Sequence, residues 1–272
     1  MAADNFISFP EGYLGPRPLK FSLLANNEEF FAVNKPAGIS CFQHEWTLGH
    51  PDLSMALKRE IISGKPQLSR LGIEGVYRVF NLDAEVSGAL VYAKSAAAEA
   101  KYRNSCGSRQ FVFRYHLLVR TEVEERELYC DLPLAQHFQE QRAMVSHKTG
   151  KKCETRFRFL RPFGQYQLWE AETRDTRMHQ VRLHAAECGL EIVGEDLYSK
   201  VERVYLSQIK KGYRRDKKER FEKPLYDKLC LHLLEVGFEV PEVELPSIAA
   251  PIPNRFASLL KRLDDSKGYS SR

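Results

Sequence analysis

The chain has 272 residues, of which 43% are hydrophobic and 11% aromatic, and its formal net charge is +5. This length and composition predict one compact domain and exclude a disordered chain. No apolar stretch approaches the roughly 20 residues of a membrane span, and the start MAADNFISFPEGYLG lacks the basic and apolar parts of an export signal, so neither membrane insertion nor export is expected.

The cysteines and histidines predict neither a metal site nor a disulfide scaffold. None of the eight histidines belongs to a convincing metal set, because His179 and His184 are five residues apart and would diverge on a helix. The cysteines are scattered without a C-x-x-C pair, which favours free thiols in a reducing cytoplasm: Cys41, Cys106, Cys130, Cys153, Cys188 and Cys230.

The first third of the chain predicts an arm followed by strands. Residues 1–20 are rich in Pro and Gly and are expected to form the arm. Phe30–Asn34 (FFAVN) predicts a strand that ends at a turn-forming KPAG group. Tyr77–Leu82 and Ala89–Ala93 predict two more strands, which flank a small-residue turn at Asp83.

The rest of the chain mixes long β-rich runs with single helices. Helices are predicted over residues 96–105, with a stop at Gly107, and from an N-cap at Thr176 to a stop at Gly189. The β-rich runs are Gln110–Arg120, Glu154–Leu160, Tyr166–Ala171 and Leu231–Val240, and a frayed polar tail is expected over Asp264–Arg272. This irregular order predicts an α+β fold rather than a regular βαβ winding.

The positive charge of the chain is concentrated in one segment. Lys210–Lys223 (KKGYRRDKKERFEK) contains eight basic residues and three acids, a surplus equal to the net charge of the whole chain. Tyr213 and Phe221 lie among these cations, as expected for a segment that contacts a phosphate backbone. A solvated loop or helix face without a partner explains the charges of this segment equally well.

Asp83 is an acid between two apolar, strand-like segments. A carboxylate there is costly to bury in its charged form, so it requires a cationic partner or a place at the mouth of a cleft. From these residues alone, an ordinary turn aspartate that accepts hydrogen bonds from backbone amides is the favoured interpretation.

Six segments, in the same order, resemble the RluA-type RNA pseudouridine synthases. Any one motif could match by chance, but six in order indicate membership of that family. They are Val33–Gly38 (VNKPAG), Asp83–Gly88 (DAEVSG) continuing to Lys94, Tyr115 with Leu117–Val119, Gly150–Thr155 (GKKCET), Arg177–His184 (RMHQVRLH) followed by Gly189 and Ile192–Tyr198 (IVGEDLY), and Leu231-His232 with Phe238 and Pro241.

The resemblance implies an α+β fold with a mixed, largely antiparallel central sheet, flanking helices and a catalytic cleft. It divides the chain into an N-terminal arm (1–28), a catalytic domain (29–245) with a basic insertion (199–228), and a C-terminal extension (246–272). The implied activity is isomerisation of specific uridines to pseudouridine in structured ribosomal or transfer RNA. No cofactor or metal is required, RNA is the only expected partner, and the enzyme is expected to be a cytoplasmic monomer.

The resemblance also assigns roles to individual residues. Asp83 is implied as the catalytic carboxylate, Arg182 as the guanidinium that pairs with it, and Tyr115 as the ring that stacks on the target base. Lys35, Lys94 and His232 are expected to form or support the pocket wall. The expected RNA contacts are Lys35, Asn81 and Arg177, together with Lys210, Lys211, Arg214 and Arg215 of the basic segment.

One departure from the family pattern affects base flipping. Family members usually have His and Arg three and two residues before the aspartate, and this chain has Phe80 and Asn81 there. Asn81 cannot span the space left by an everted base, although Phe80 could stack there if it points outward. A non-catalytic RNA-binding paralogue is therefore the alternative function. A nucleoside hydrolase with Asp83 as nucleophile is a third, but no second motif supplies its acid or base.

Overall fold

The fold is that of a computed structural model, which describes residues 5–43, 52–121, 123–210, 212–214, 221–239 and 245–266. The helices in these ranges are α1 (Leu53–Ile62), α2 (Pro66–Arg70), α3 (Ala96–Gly107), α4 (Gln180–Glu187), α5 (Leu206–Ile209) and α6 (Asn254–Ser266). The strands are β1 (Phe6–Phe9), β2 (Leu19–Asn26), β3 (Phe30–Lys35), β4 (Tyr77–Arg78), β5 (Ser87–Ala93), β6 (Phe111–Arg120), β7 (Glu127–Cys130), β8 (Leu134–Gln136), β9 (Ala143–Val145), β10 (Thr155–Phe163), β11 (Tyr166–Thr173), β12 (Leu231–Phe238) and β13 (Ile248–Ala249).

One large sheet organises the fold. Its strands lie in the order β1-β2-β3-β5-β12-β6-β11-β10-β7, with β4 added to β5 and β13 to β12, while β8 and β9 form a separate hairpin. The pair β5 and β12 is parallel, and the other strand pairs described in this sheet are antiparallel. The predicted α+β class with a mixed, largely antiparallel sheet is therefore confirmed.

The predicted N-terminal arm is instead an edge of the sheet. Within residues 1–28, β1 pairs antiparallel with β2, and β2 pairs with β3. Ile7, Phe9 and Phe21 are buried, and the Phe9 and Phe21 rings meet edge to face at 5.4 Å. The burial of this apolar face outweighs the turn preference of the Pro and Gly residues, which lie in the connection between the two strands.

The C-terminal extension is also structured. Helix α6 repeats apolar residues at a helical spacing and buries them against the sheet: Phe256, Leu259, Leu260 and Leu263. The Phe256 ring stacks on Tyr226 with centroids 5.4 Å apart. The helix continues through Asp264 to Ser266, where a frayed tail was predicted, and residues 267–272 lie outside the described ranges.

Two predicted boundaries change. The strand predicted over Tyr77–Leu82 is only two residues long. Helix α4 begins at Gln180 instead of near Thr176, because His179 has a left-handed backbone (φ 52) that no regular helix can include. The stop at Gly189 is confirmed by its φ of 72. Val240, the predicted end of the last strand, lies outside the described residues.

The turn that carries Asp83 leads into a close contact between two strands. Ser87 lies opposite His232 in the parallel pair, and the next residue, Gly88, has a φ of +131. A Cβ atom on Gly88 would lie 2.2 Å from the carbonyl oxygen of Leu233. Only glycine fits there, so the serine-glycine pair fixes where β5 starts after the acid.

His232 provides a test of this junction through pH. The ring is fully buried, and Nε2 donates to the carbonyl of Ala250 (3.0 Å), so Nδ1 accepts the hydroxyl hydrogen of Ser87 (2.9 Å). Burial lowers the pKa of His232 to about 4, from an ordinary value of 6.5. Between these values the unfolded chain binds a proton that the folded chain rejects, so stability is lost as the pH falls through this window.

We expect a His232→Gln variant to lose less stability on acidification than the wild type. Between pH 7 and pH 5 the difference in the free energy of unfolding should be about 2 kcal/mol. Urea unfolding at both pH values measures it, with His147→Gln, at an exposed histidine, as the matched control. Equal pH dependence in the wild type and His232→Gln would contradict the role given to the buried ring.

None of the described helices combines the length and hydropathy needed to cross a lipid bilayer.

Candidate active site

The turn around Asp83 is held from beneath by two buried side chains. The Cys41 thiol donates to the carbonyl of Leu82 at 3.0 Å, and the Lys35 ammonium donates to the carbonyl of Ala84 at 3.1 Å. These carbonyls belong to the residues immediately before and after the acid. The backbone of the turn is thus held on both sides of Asp83.

Lys35 supports the turn and does not reach solvent. Its side chain is fully buried, and Nζ also donates to the carbonyls of Pro36 (3.1 Å) and Ile39 (2.9 Å). Burial lowers its pKa. Because an ammonium has three hydrogens and all three are used within the protein, the predicted contact between Lys35 and RNA is not compatible with this structure.

Asp83 lies half-buried at the wall of a small cavity. Its Oδ1 accepts the backbone N–H of His179, the residue before α4, at 3.4 Å. The cavity measures about 20 Å³ and is lined by Asp83, Asn81, Leu82, Val86, Tyr115, Asp175, Thr176, Arg177, Gln180, Val181 and Leu231. That volume holds about one water molecule. Asn81 and Arg177 are the exposed residues of this lining.

Tyr115 lies in the same cavity wall as Asp83, as the sequence predicted. Its side chain is 7% exposed and comes from β6, where it lies opposite Leu233 of β12. Burial, and then the nearby Asp83 carboxylate, raise the pKa of the phenol well above its usual value. The phenol is therefore neutral at physiological pH.

Arg182 does not form the predicted pair with Asp83. Its Nε and Nη2 donate to the two carboxylate oxygens of Glu195 at 2.7 and 2.8 Å, and Nη1 donates to Glu85 at 3.1 Å. Glu195 is 1% exposed and would be strongly destabilising without a partner, so it takes the bidentate bond. Asp83 interacts with the guanidinium electrostatically, without an ion pair among the described residues.

Glu195 and Arg182 are both charged, although burial opposes the charged form of each. Burial by itself would raise the pKa of Glu195, but the hydrogen bonds from Arg182 outweigh it and the pKa is lowered. For Arg182, burial is likewise the largest influence and would lower the pKa, yet Glu195, Asp83 and Glu85 together raise it. Arg182 is thus a permanent cation beside the catalytic candidate, already neutralised by Glu195.

His179 connects Asp83 to the β8–β9 hairpin. The hydroxyl of Tyr198 accepts the backbone N–H of Ala143 at 2.8 Å, so its own hydrogen is donated to Nδ1 of His179, also at 2.8 Å. Burial lowers the pKa of His179, which keeps the ring neutral. A contact chain therefore runs from the end of the hairpin through Tyr198 and His179 to the carboxylate of Asp83.

Comparison with known proteins identifies the family. The RNA pseudouridylate synthase family matches residues 29–187, more than half of the chain. The chain belongs to this family. Its members are isomerases that convert uridine into pseudouridine in RNA, and the predicted RluA-type resemblance is confirmed.

Individual relatives are distant but span most of the chain. The ribosomal large subunit pseudouridine synthase D of Xylella fastidiosa is 26% identical over 94% of this chain and 74% of its own length. The uncharacterized RNA pseudouridine synthase YlyB of Bacillus subtilis is 24% identical over 90% and 74%. Among solved structures, the human RNA pseudouridylate synthase domain containing 4 protein aligns with a TM-score of 0.66 and 18% identity, over 89% of this chain and 92% of that one. These alignments support the fold described above.

The structure shows where Phe80 and Asn81, the two residues that depart from the family pattern, lie. Phe80 is 4% exposed and packs edge to face on Phe113, with ring centroids 4.9 Å apart. It therefore does not point outward, and it is not available to stack on a base. Asn81 is exposed and lines the cavity, as does the exposed Arg177.

The sequence did not reveal three members of this site: Glu195, His179 and Tyr198. Glu195 and Tyr198 lie in the IVGEDLY motif, and His179 was considered only as a metal ligand. The available signal for Glu195 was an acid directly after an apolar Ile-Val-Gly segment, the same kind of signal that singled out Asp83.

For the predicted RNA contacts in the basic segment, Lys210 and Arg214 are exposed, and Lys211 and Arg215 lie outside the described residues.

Proposed function

We propose that this isomerase acts on uridines in structured ribosomal or transfer RNA and that Asp83 is its catalytic carboxylate. The observation that carries the proposal is the position of Asp83 in a fixed turn, half-buried in a cavity whose wall also contains Tyr115. The geometry supplies an acid and an aromatic ring at one point, which is what the chemistry of the family needs.

The reaction breaks the bond between uracil and C1′ of the ribose, turns the base, and rejoins it through C5. It is redox-neutral and consumes no water. The carboxylate could attack C1′, attack the base, or remove a ribose proton, and each route requires it to be ionised. The Arg182 guanidinium lies near enough to interact electrostatically with Asp83.

The target base must leave its stack before it can reach Asp83. Eversion costs a few kcal/mol, which stacking in the pocket and contacts to the RNA backbone offset. The cavity has room for only about one water molecule, so it must widen to admit the everted base. Movement of the Asn81 and Arg177 side chains is proposed to provide this widening. Without the usual arginine at position 81, the preferred substrate is a uridine that is already splayed out.

A comparison of pseudouridine maps would identify the RNA substrate. Large-subunit ribosomal RNA is one candidate substrate, since the relative from Xylella is named for it. Maps of cellular RNA with and without the gene should differ at one or a few uridines. A map without any change would support the alternative, an RNA-binding paralogue with weak or no catalysis.

The basic segment is expected to supply part of the affinity for RNA. Replacing Lys210 and Arg214 by Ala should weaken binding and reduce the magnitude of the slope of log affinity against log salt by about 0.7 to 0.9 for each lost phosphate contact. The same test applies to Lys211 and Arg215. Lys261→Ala with Arg262→Ala, two exposed cations on α6, is a control with the same change in charge. An unchanged slope in the Lys210 and Arg214 variant would contradict this role.

A further inference from the structure

An exposed aromatic ring lies in the loop of the β8–β9 hairpin. Phe138 belongs to the residues that connect the two strands, and it is 78% exposed. Its ring stacks on the ring of His137, with centroids 5.0 Å apart and planes 19° from parallel. Because Phe138 remains so exposed although one face of its ring lies on His137, the opposite face is open to solvent.

Hydrogen bonds within the loop hold the two rings in place. The backbone N–H of His137 donates to the carbonyl of Arg142 at 2.8 Å, and that of Arg142 donates to the carbonyl of Glu140, also at 2.8 Å. The ring of His137 accepts the backbone N–H of Gln139 at its Nδ1 (3.2 Å). The loop is therefore ordered before it meets a ligand, which reduces the conformational entropy that binding to Phe138 costs.

The loop borders the part of the molecule that carries the catalytic candidate. Residues 140–142 line a cleft of about 500 Å³ together with Glu85 and Arg182. Glu85 follows Asp83 by two residues in the same turn. An RNA segment that brings a uridine to Asp83 therefore passes close to the loop that presents Phe138.

The hairpin is also tied directly to Asp83. Ala143, the first residue of β9, donates its backbone N–H to the hydroxyl of Tyr198, which donates to the ring of His179, and the backbone N–H of His179 donates to Asp83. Phe138 lies two residues beyond the end of β8, where Gln136 pairs with Ala143, which corresponds to about 7 Å of extended chain. Phe138 is thus placed beside the active site by a short series of contacts.

The charge of the hairpin region favours RNA over a protein as its ligand. Residues 132–152, which include the hairpin and the turn after it, contain four basic residues and one acid. The acid, Glu140, forms an ion pair with Arg142. The other three cations are exposed and form no ion pair within the described part of the chain: Lys148, Lys151 and Lys152. Free cations next to an exposed aromatic ring are the combination that binds single-stranded nucleic acid.

Neither the core nor the residues next to Asp83 account for an aromatic ring at this place. Phe138 is not part of the buried clusters. Eversion of a uridine leaves a gap in the stack of the RNA. Phe80 is buried and Asn81 is too short to fill that gap, so a ring from elsewhere in the chain is needed to stack there.

We propose that Phe138 is a stacking site for an unpaired base of the RNA substrate next to the everted uridine, and that Lys148 and Lys151 contact the adjoining phosphates. This inference rests on the proposed function, because it takes Asp83 as the place where the uridine is held. The base adds a third ring to the stack of His137 and Phe138. Such stacking is tolerant of sequence, since every base has a π face.

Binding of a single-stranded oligouridylate of about 16 nucleotides tests the stacking site. The measurement uses the full-length Asp83→Asn protein as the reference, so that no product forms. Added to it, Phe138→Ala should weaken binding roughly 5- to 150-fold, and Phe138→Trp, which restores a ring, should bind at least as tightly as the reference. Phe6→Ala, at an exposed ring on the edge strand β1, is the matched control and should bind normally. Equal affinity of Phe138→Ala and the reference, or failure of Phe138→Trp to restore binding, would overturn the proposal.

A second probe separates a base from a phosphate. An RNA duplex of about 16 base pairs presents phosphates but keeps its base faces covered, so Phe138→Ala should bind it as the reference protein does. Lys148→Ala with Lys151→Ala should instead reduce the salt dependence for both probes, by about 0.7 in slope for each lost contact to the single strand. An equal loss of affinity for duplex and single strand in Phe138→Ala would contradict stacking. Unchanged binding of both probes together with loss of self-association in sedimentation would assign the ring to a contact between two copies of the chain.

Failure of this proposal can be told apart from failure of the proposed function. If Asp83→Asn still forms pseudouridine, the catalytic assignment is wrong, whereas the affinity ratio of Phe138→Ala to its reference still measures stacking. If Asp83→Asn is inactive and Phe138→Ala binds the oligouridylate normally, the stacking site alone is rejected. Circular dichroism melting of each variant checks that the fold is intact.

Discussion

Replacing Asp83 by Asn should abolish pseudouridine formation, with a loss of roughly 10⁴-fold or more in single-turnover rate, as for removal of a nucleophile that other groups cannot replace. The amide has the shape of the carboxylate, and its oxygen can still accept the N–H of His179. It lacks the negative charge that all three chemical routes require. Because conversion replaces the hydrogen at C5, release of tritium from RNA labelled at that position measures the rate.

The controls for Asp83→Asn distinguish lost chemistry from lost binding or folding. Asp265→Asn makes the same change at an exposed carboxylate near the end of α6 and should retain full activity. Asp83→Asn should bind the RNA substrate with nearly unchanged affinity and should melt within a few degrees of the wild type. Activity within tenfold of the wild type would mean that another group performs the reaction.

Much of the sheet could be predicted from sequence because its central strands are strongly apolar or alternate with period two. The run at Gln110–Arg120 corresponds to β6, and that at Tyr166–Ala171 to most of β11. Helix α6 could also have been predicted, since the spacing of Phe256, Leu259, Leu260 and Leu263 is helical. Its charged residues, which lie on the opposite face, obscured that pattern.

The edge strands β1 and β2 are harder to predict. Four residues of β1 carry little periodicity of their own, and their stability comes from pairing with a strand ten or more residues away and from burial of Phe9 against Phe21. Long-range burial of this kind is not encoded in a local pattern. The same reason explains the early start expected for α4, where the backbone of His179 is set by its contacts with Asp83 and Tyr198.

The location of the candidate site was predicted, and its electrostatic pairing was not. Asp83, Tyr115, Asn81 and Arg177 come together in one cavity, as their motif positions implied. Which carboxylate takes the guanidinium depends on relative burial, and the sequence does not show that Glu195 is buried more deeply than Asp83. The pairing therefore becomes visible only in three dimensions.

Arg182→Met should destabilise the protein by about 3 to 5 kcal/mol, the typical effect of removing one partner from a buried ion pair. The variant leaves the carboxylate of Glu195 buried with the hydrogen bond from the backbone of Leu197 but without its cation. Denaturant unfolding at pH 7 measures the change. Arg203→Met is the matched control, because the carboxylate that it pairs with, Asp196, is 67% exposed and the pair should be worth no more than about 1 kcal/mol.

The origin of this effect can be tested by pH and by a second substitution. In the wild type the lowered pKa of Glu195 contributes stability above the unfolded value of 4.5, and that contribution is lost as the pH falls through the folded value. Without Arg182, burial raises the pKa of Glu195, so the carboxyl is protonated at mildly acidic pH and the deficit of the variant relative to wild type should shrink there. Arg182→Met combined with Glu195→Leu should recover most of the loss, because an apolar pair of similar volume removes the uncompensated charge. A deficit that is independent of pH and persists in the double variant would show that the packing of the Arg182 side chain, rather than neutralisation of Glu195, stabilises this part of the active site.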